Sequence, residues 1–329
     1  MSLLVLGGAG YIGSHMVDLL VQKNERVVVV DNLSRGHRAA VNDKAVFYQG
    51  DVRDEEFMNR VFSEEDIEAV FHFCAYIQIP ESLKKPNDYF DNNVGGLITL
   101  IEVMAKHHTS KLIFSSSAAV YGNPEIVPIK EDSAKNPINP YGLTKLMMEQ
   151  MMAWNGPAYD INWIAFRYFN VAGAKADGSI GEDHRPESHL IPLVLQAATG
   201  ERDHVDICGE DYNTPDGTNI RDYVHVVDLV EAHYLGLEYL RNGGKSDAFN
   251  LGSKKGYSVK EIVEATREVT GKPIPAVSAP RRGGDPDSLV ADSSKVRSVL
   301  HWAPKYDDIN EIIASAWNWV QKHPEGYKD

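Results

Sequence analysis

Cysteine is nearly absent. The 329 residues hold two, Cys74 and Cys208, far apart in sequence and each in an apolar stretch. So few thiols exclude a disulfide-stapled secreted scaffold, and two free, buried thiols in a reducing compartment are expected. Long hydrophobic runs are missing too: none approaches the roughly 20 residues that cross a bilayer. No basic leader precedes the strand-like Leu3-Leu4-Val5-Leu6, so a cytoplasmic protein with no membrane partner is expected. Positive charge is in short supply, with 33 Lys and Arg against 47 Asp and Glu for a formal net charge of −14. No basic run offsets it, which excludes a nucleic-acid or anionic-membrane surface as the natural partner. An anionic ligand would need local arginines. No internal repeat, low-complexity tract or long linker interrupts the chain, whose length suits one large or two modest domains.

What is present alternates. Continuous apolar runs at 3–6, 26–31, 46–48, 69–73, 111–116 and 162–168 read as strands covered on both faces, and 56–63, 94–107 and 141–154 carry helical periodicity between them. That βαβ order predicts an α/β fold, a doubly wound parallel sheet whose ligand crevice lies at the carboxyl ends of the strands. Beyond about residue 170 the texture changes. A stretch from Gly173 to Pro192, rich in Gly, Asp, Glu and His, leads into a smaller C-terminal α/β lobe. The expected division is 1–172 and 173–329, with part of 220–250 returning to the first unit. Ser258-Val259-Lys260-Glu261 reads as a capping box opening a helix that stops near Gly271. Residues 308–322 form a last amphipathic helix in which Trp317 and Trp319 pack against the core.

Directly after the first strand stands Gly7-Gly8-Ala9-Gly10-Tyr11-Ile12-Gly13, followed by helical sequence from Ser14. Glycines at 7, 10 and 13 permit a tight turn, close approach of backbone to a pyrophosphate and close helix packing. The second strand ends at Asp31, where a carboxylate can accept both hydroxyls of an adenosine ribose. The same charge repels a 2′-phosphate, so NAD is expected as cofactor in preference to NADP.

A second constellation lies further on. Ser115-Ser116-Ser117 closes a strand, and Pro140-Tyr141-Gly142-Leu143-Thr144-Lys145 opens a helix. Four residues apart on a helix, Tyr141 and Lys145 share one face, so an ammonium can favour the phenolate. Bringing a tyrosine from about 10 toward neutrality is a shift of about 3 units, or about 4 kcal/mol. Ser117 would supply a second hydroxyl to the same substrate oxygen. A Tyr and Lys at this spacing are common on ordinary amphipathic helices. The pair gains meaning only beside the glycine turn.

With Arg167-Tyr168-Phe169-Asn170-Val171-Ala172-Gly173-Ala174, Gly181-Glu182-Asp183-His184, His189-Leu190-Ile191-Pro192 and Arg221-Asp222-Tyr223-Val224-His225-Val226 in order, the chain resembles the extended short-chain dehydrogenase/reductase family from Leu3 to about residue 300. The resemblance implies a Rossmann-type sheet and bound NAD, contacted by Gly7, Gly10, Tyr11, Ile12, Gly13, Asp31, Asn32, Asp51, Val52, Phe73, Asn92, Tyr141, Lys145 and Tyr168. It implies Ser117, Tyr141 and Lys145 as the catalytic group, acting at O4 of a UDP-hexose. C4 would be oxidised transiently and hydride returned to the opposite face, with UDP-glucose and UDP-galactose as the principal pair. Asn170, the Leu190 backbone, Arg221 and Arg282 would hold the pyrophosphate, Asp285 the uridine ribose, and Leu289 would line the sugar pocket. There a tyrosine would exclude an N-acetyl group and a small residue admit one; leucine is intermediate. A homodimer is also implied.

A sister 4,6-dehydratase or UDP-glucuronate-type enzyme would share the cofactor chemistry. Dehydratases of the family place an acid pair directly after the active-site Ser/Thr, where this chain has Ala118 and Ala119. A non-catalytic NAD sensor would have no need for Ser117, Tyr141 and Lys145 together. His184 and His189 lie in a loop whose spacing shows no second ligand pair, and no metal is expected.

Overall fold

A computed structural model describes residues 1–283 and 285–328. Seven parallel strands form its main sheet: β1 (Ser2–Leu6), β2 (Val27–Asp31), β3 (Val46–Gln49), β4 (Ile67–His72), β5 (Lys111–Ser117), β6 (Asn162–Tyr168) and, from much later in the chain, β10 (Asp247–Leu251). Their order is β10-β6-β5-β4-β1-β2-β3. From β1 the chain winds outward one way through β2 and β3, then returns to β4 on the other side of β1 and winds the opposite way. The switch in direction between β1 and β4 opens a crevice at their carboxyl ends.

The apolar runs make these strands because both faces are covered. Along β1, Leu3 and Val5 point into one core and Leu4 and Leu6 into the other, the period of two expected of a pleated strand. One core is closed by α1 (Tyr11–Gln22) and α8 (Val226–Arg241). The opposite one is closed by α2 (Glu55–Glu64), α5 (Gly96–Lys106) and α6 (Pro140–Tyr159). Helix α8 and strand β10 thus complete the main sheet after the chain has already left it.

Local signals set the helix starts. Asp54 caps α2 by accepting from the Phe57 N–H, and Asn139 caps α6 by accepting from Gly142, with Pro140 at the first helical position. The expected helix over 94–107 differs at its start: short helices α3 (Ile79–Lys84) and α4 (Pro86–Tyr89) lead into a π-helical turn over Phe90–Gly95 before α5. Asn93 sits in that wide turn, donating to the Tyr76 carbonyl and the Thr144 hydroxyl and accepting from the Tyr76 N–H. Burying two consecutive asparagines, 92 and 93, breaks the apolar rhythm and widens the turn.

The second region is built on a four-stranded sheet. Strand β9 (Ile220–His225) pairs with β7 (Asn170–Ala172) and β13 (Ser288–Leu289) in parallel and with β11 (Gly256–Ser258) antiparallel. Strands β8 (Val205–Cys208) and β12 (Ala276–Ala279) form a separate pair. Helices α7 (Leu190–Thr199), α9 (Val259–Thr270) and α11 (Ile309–Lys322) pack together over it, while α10 (Ser294–Val299) lies against β10. Ser258 and Glu261 form the capping box of α9, which ends at Gly271. Trp319 is buried and Trp317 packs on the core from its edge. Cys74 and Cys208 are free thiols, and both are partly accessible where full burial was expected.

Candidate active site

The glycine turn bridges β1 and α1. Gly7 has φ +75, and a side chain there would meet the Cys74 backbone N at 2.7 Å; at Gly13 an added Cβ would come within 2.1 Å of the Gly7 carbonyl oxygen. These two positions therefore require glycine. Gly10 is the N-cap of α1 and no acidic residue lies in the first turn, so the turn leaves backbone N–H groups and the positive end of the helix dipole to an anion. At the end of β2, Asp31 is buried and accepts from the Ala9 and Leu33 N–H groups at 2.9 and 2.8 Å. Burial raises its pKa against those two bonds, and the carboxylate is held directly beside the turn. This cradle fits a dinucleotide: glycines where no side chain can stand, a helix N-terminus, and a fixed carboxylate one strand away.

Other expected cofactor residues fall at the same edge. Tyr11 donates to the Gly173 carbonyl at 2.5 Å, joining the turn to the start of the second region, while Ile12 packs down onto the core. Asn32 donates to Asp51 at 3.0 Å. Asp51 is in turn gripped by both arms of Arg53, at 2.9 and 2.7 Å, which holds its carboxyl well below the usual range. Val52 is buried, Phe73 follows β4 and packs on the core, and Asn92 lies buried in the π turn.

Ser117 ends β5, and Tyr141 and Lys145 project from the first turns of α6. The Ser117 hydroxyl stands beside the Tyr141 phenol and acts on it. Burial raises the phenol above its ordinary value, and the Ser117 hydroxyl only partly opposes it. This corrects the expectation of a phenol made acidic by Lys145. The ammonium stands 6.0 Å from the Tyr141 ring centre and donates instead to the Ser115 carbonyl at 2.6 Å. Its spacing on the helix puts it on the same face, but its length carries it past the ring to the strand beneath. Burial also lowers Lys145 to about 8, with Cys74 and Glu149 acting the other way. Tyr168, at the end of β6, donates to the Ser115 hydroxyl.

Below this group lies a network that the sequence motifs do not mark. Glu149, four residues beyond Lys145, accepts from Ser116 at 2.5 Å and from both arms of Arg167 at 2.9 and 2.6 Å. Arg167 also donates to the Tyr121 hydroxyl and the Glu131 carbonyl at 2.8 and 2.9 Å. Buried carboxylate and guanidinium thereby lock α6 to the ends of β5 and β6. The run Tyr141, Lys145, Glu149 at a spacing of four was the available signal.

The expected substrate residues are spread over the second region. Asn170 starts β7 and Leu190 starts α7, both half-buried. Arg221, expected on a pyrophosphate, is instead committed within the protein. It pairs with Asp285 at 2.5 Å and donates to the Ile220 and Pro286 carbonyls. Asp285 also accepts from Asn219 at 2.8 Å. Two residues expected to bind different parts of one ligand thus hold each other. Arg282 is exposed. Leu289, on β13, packs with Ala118, Val120 and Tyr121, the residues that follow Ser117.

The NAD dependent epimerase/dehydratase family model matches residues 3–252 of the chain. The chain belongs to that family. It is 60% identical to the UDP-glucose 4-epimerase of Streptococcus mutans over 331 residues, covering 100% of this chain and 99% of the relative. The UDP-glucose 4-epimerase of Lacticaseibacillus casei is 56% identical over 329 residues, covering 100% and 99%. Among solved structures, a UDP-glucose 4-epimerase at 55% identity superposes with a TM-score of 0.98 over 100% of both chains. The Bifidobacterium longum enzyme, solved with NAD+ and UDP, does so with a TM-score of 0.94 at 40% identity, covering 99% and 100%.

Proposed function

We propose that this chain interconverts UDP-glucose and UDP-galactose by transient oxidation at C4 of the sugar, with Ser117, Tyr141 and Lys145 as its catalytic group. The observation that carries this is Tyr141 beside Ser117, with the buried Lys145 beneath it, at the carboxyl end of the sheet that also bears the glycine cradle, and alanines at 118 and 119 directly after Ser117. NAD, when bound, supplies the hydride acceptor and donor for C4 and a formal positive charge. Tyr141 takes the O4 proton and later returns it, and Ser117 holds the same oxygen. Burial favours the protonated phenol, so proton uptake by Tyr141 would depend on the positive charge of a nicotinamide ring beside it and on the Lys145 ammonium. Lys145, fixed by the Ser115 carbonyl, holds its charge at the base of the site.

Inversion requires a firmly held nucleotide and a sugar free to turn. In this reading Asn170, the Leu190 backbone, Arg221 and Arg282 hold the pyrophosphate and Asp285 the uridine ribose, which requires the Arg221–Asp285 pair to open as UDP enters. Leu289 lines the sugar pocket beside Ala118, and acetamido sugars are accepted less well than the parent pair. Cofactor contacts run from Gly7 to Gly13, through Asp31, Asn32, Asp51, Val52, Phe73 and Asn92, to Tyr168. A homodimer forms through α6, whose Leu143 and Trp154 are exposed on one face, Trp154 being 82% exposed. Light scattering tests the dimer. In this reading the protein works in the cytoplasm, which its two free thiols support.

Incubation with UDP-galactose and UDP-GalNAc side by side, without added NAD, tests the activity. UDP-glucose as product supports it. An unsaturated or deoxy sugar would replace it with a dehydratase, despite Ala118 and Ala119.

A further inference from the structure

The loop between β7 and α7 gathers a donor set that the redox chemistry does not use. Glu182, His184, Glu187 and His189 each bring one ligand atom to a common point, all within 4.8 Å of one another. The His184 Nδ1 lies 3.1 Å from the Glu182 carboxylate and 3.8 Å from that of Glu187, and the His189 Nδ1 contacts the same Glu182 oxygen. Around a tetrahedral ion at about 2.05 Å, ligand atoms stand about 3.3 Å apart. The separations of 3.1 and 3.8 Å bracket that spacing, and the widest, within 4.8 Å, would have to draw in around an ion.

We propose that these four residues bind a divalent transition cation, zinc by preference, as a structural clamp beside the nucleotide site. Two imidazoles and two carboxylates suit zinc, whereas magnesium and calcium call for oxygen donors throughout. Charge points the same way. The side chains of Glu182 and Glu187 are only 7% and 6% exposed, and one divalent ion neutralises both while leaving the two rings in their neutral, ligating form. Contacts within the protein hold the loop. The Trp319 indole N–H donates to the Glu182 carbonyl at 3.2 Å, and the Glu187 carboxylate accepts from the N–H groups of 188 and 189. Tyr11 stands edge-on to His184 at 6.3 Å and closes the side toward the glycine turn. The His189 side chain, 39% exposed, leaves an entry path. His189 is also the N-cap of α7, so a bound ion ties the 182–189 loop to the helix start at Leu190. The proposal departs from the expectation of no metal: the spacing of the two histidines showed one pair, and folding brings Glu187 beside it as a fourth donor.

Cobalt titrated into the cofactor-loaded protein, after dialysis against a chelator, reads the site directly. Expected are one Co2+ per chain, d–d absorption of tetrahedral intensity, its loss on adding one equivalent of Zn2+, and a higher melting temperature with either ion. Glu187→Gln and His189→Gln should each weaken binding at least about tenfold. The wild-type spectrum decides the matter even if a variant fails to fold. No binding, a weak six-coordinate water-like spectrum, affinity unchanged in both variants, or the intense thiolate charge-transfer bands of Cys74 or Cys208 would each overturn the proposal. In the first case the cluster is an ion-pair network of two imidazolium rings.

Discussion

Replacing Lys145 by methionine should leave the protein as stable or more so at neutral pH while removing its activity. The ammonium is 1% exposed and its pKa falls to about 8, so holding it charged inside costs about 3 kcal/mol relative to an unfolded lysine near 10.4. Methionine is of similar length, fills the same space and carries no charge. It also strips the Ser115 carbonyl of a donor 2.6 Å away, which costs about 1–3 kcal/mol. The sum lies between about 0 and 2 kcal/mol of net stabilisation. pH dependence carries the sign. Between about pH 8 and pH 10.4 the folded protein has released the lysine proton and the unfolded chain has not, so wild-type stability rises with pH across that window and the penalty is fully present only below it. Because methionine does not titrate, the stability of the variant minus that of wild type should fall by about 3 kcal/mol from neutral pH to above about pH 10.4, changing sign in favour of wild type. Denaturant unfolding of both proteins across that range measures it. Turnover of UDP-galactose should fall by about a hundredfold or more. A variant destabilised by more than about 3 kcal/mol at neutral pH, or one that gains on wild type as pH rises, would refute the account of a desolvated ammonium.

Three further outcomes follow from the geometry. Tyr141→Phe should cut turnover by about 10²–10⁴-fold with the fold and bound NAD retained, since only the hydroxyl shared with Ser117 is lost; cofactor content and product analysis check both halves. Gly13→Ala puts a Cβ 2.1 Å from the Gly7 carbonyl, so the turn must shift. A loss of about 1–3 kcal/mol and of retained NAD is expected, read by unfolding and by cofactor content. Arg167→Met leaves the Glu149 carboxylate buried without its cation and should destabilise by about 3–5 kcal/mol in denaturant titration, whereas the double change with Glu149→Leu should recover much of that.

The main sheet could be read because its signals are local. Val27–Val30 is β-branched, apolar on both faces and ends at a carboxylate; no helix would tolerate that run, and no half-exposed strand would need it. The π turn at Phe90–Gly95 was not legible, because buried Asn92 and Asn93 look like solvent-facing residues until Tyr76 and Thr144 arrive to satisfy the second of them. Strand β10 was missed for a related reason. Asp247-Ala248-Phe249-Asn250-Leu251 is a mixed run, and the Asn250 side chain is satisfied by the Tyr121 hydroxyl and the Ile129 carbonyl, both from distant parts of the chain.

What the chain alone determined was the order of strand, glycine turn and helix, the carboxylate at the end of β2, and the shared helical face of Tyr141, Lys145 and Glu149. Each follows from periodicity, capping and backbone sterics within a few residues. Only the tertiary structure decided that Lys145 reaches Ser115 rather than the Tyr141 hydroxyl, that Arg221 is held by Asp285, and that Glu187 joins Glu182 and two histidines. Desolvation and partner choice depend on which distant surfaces meet, and spacing along the chain does not encode that.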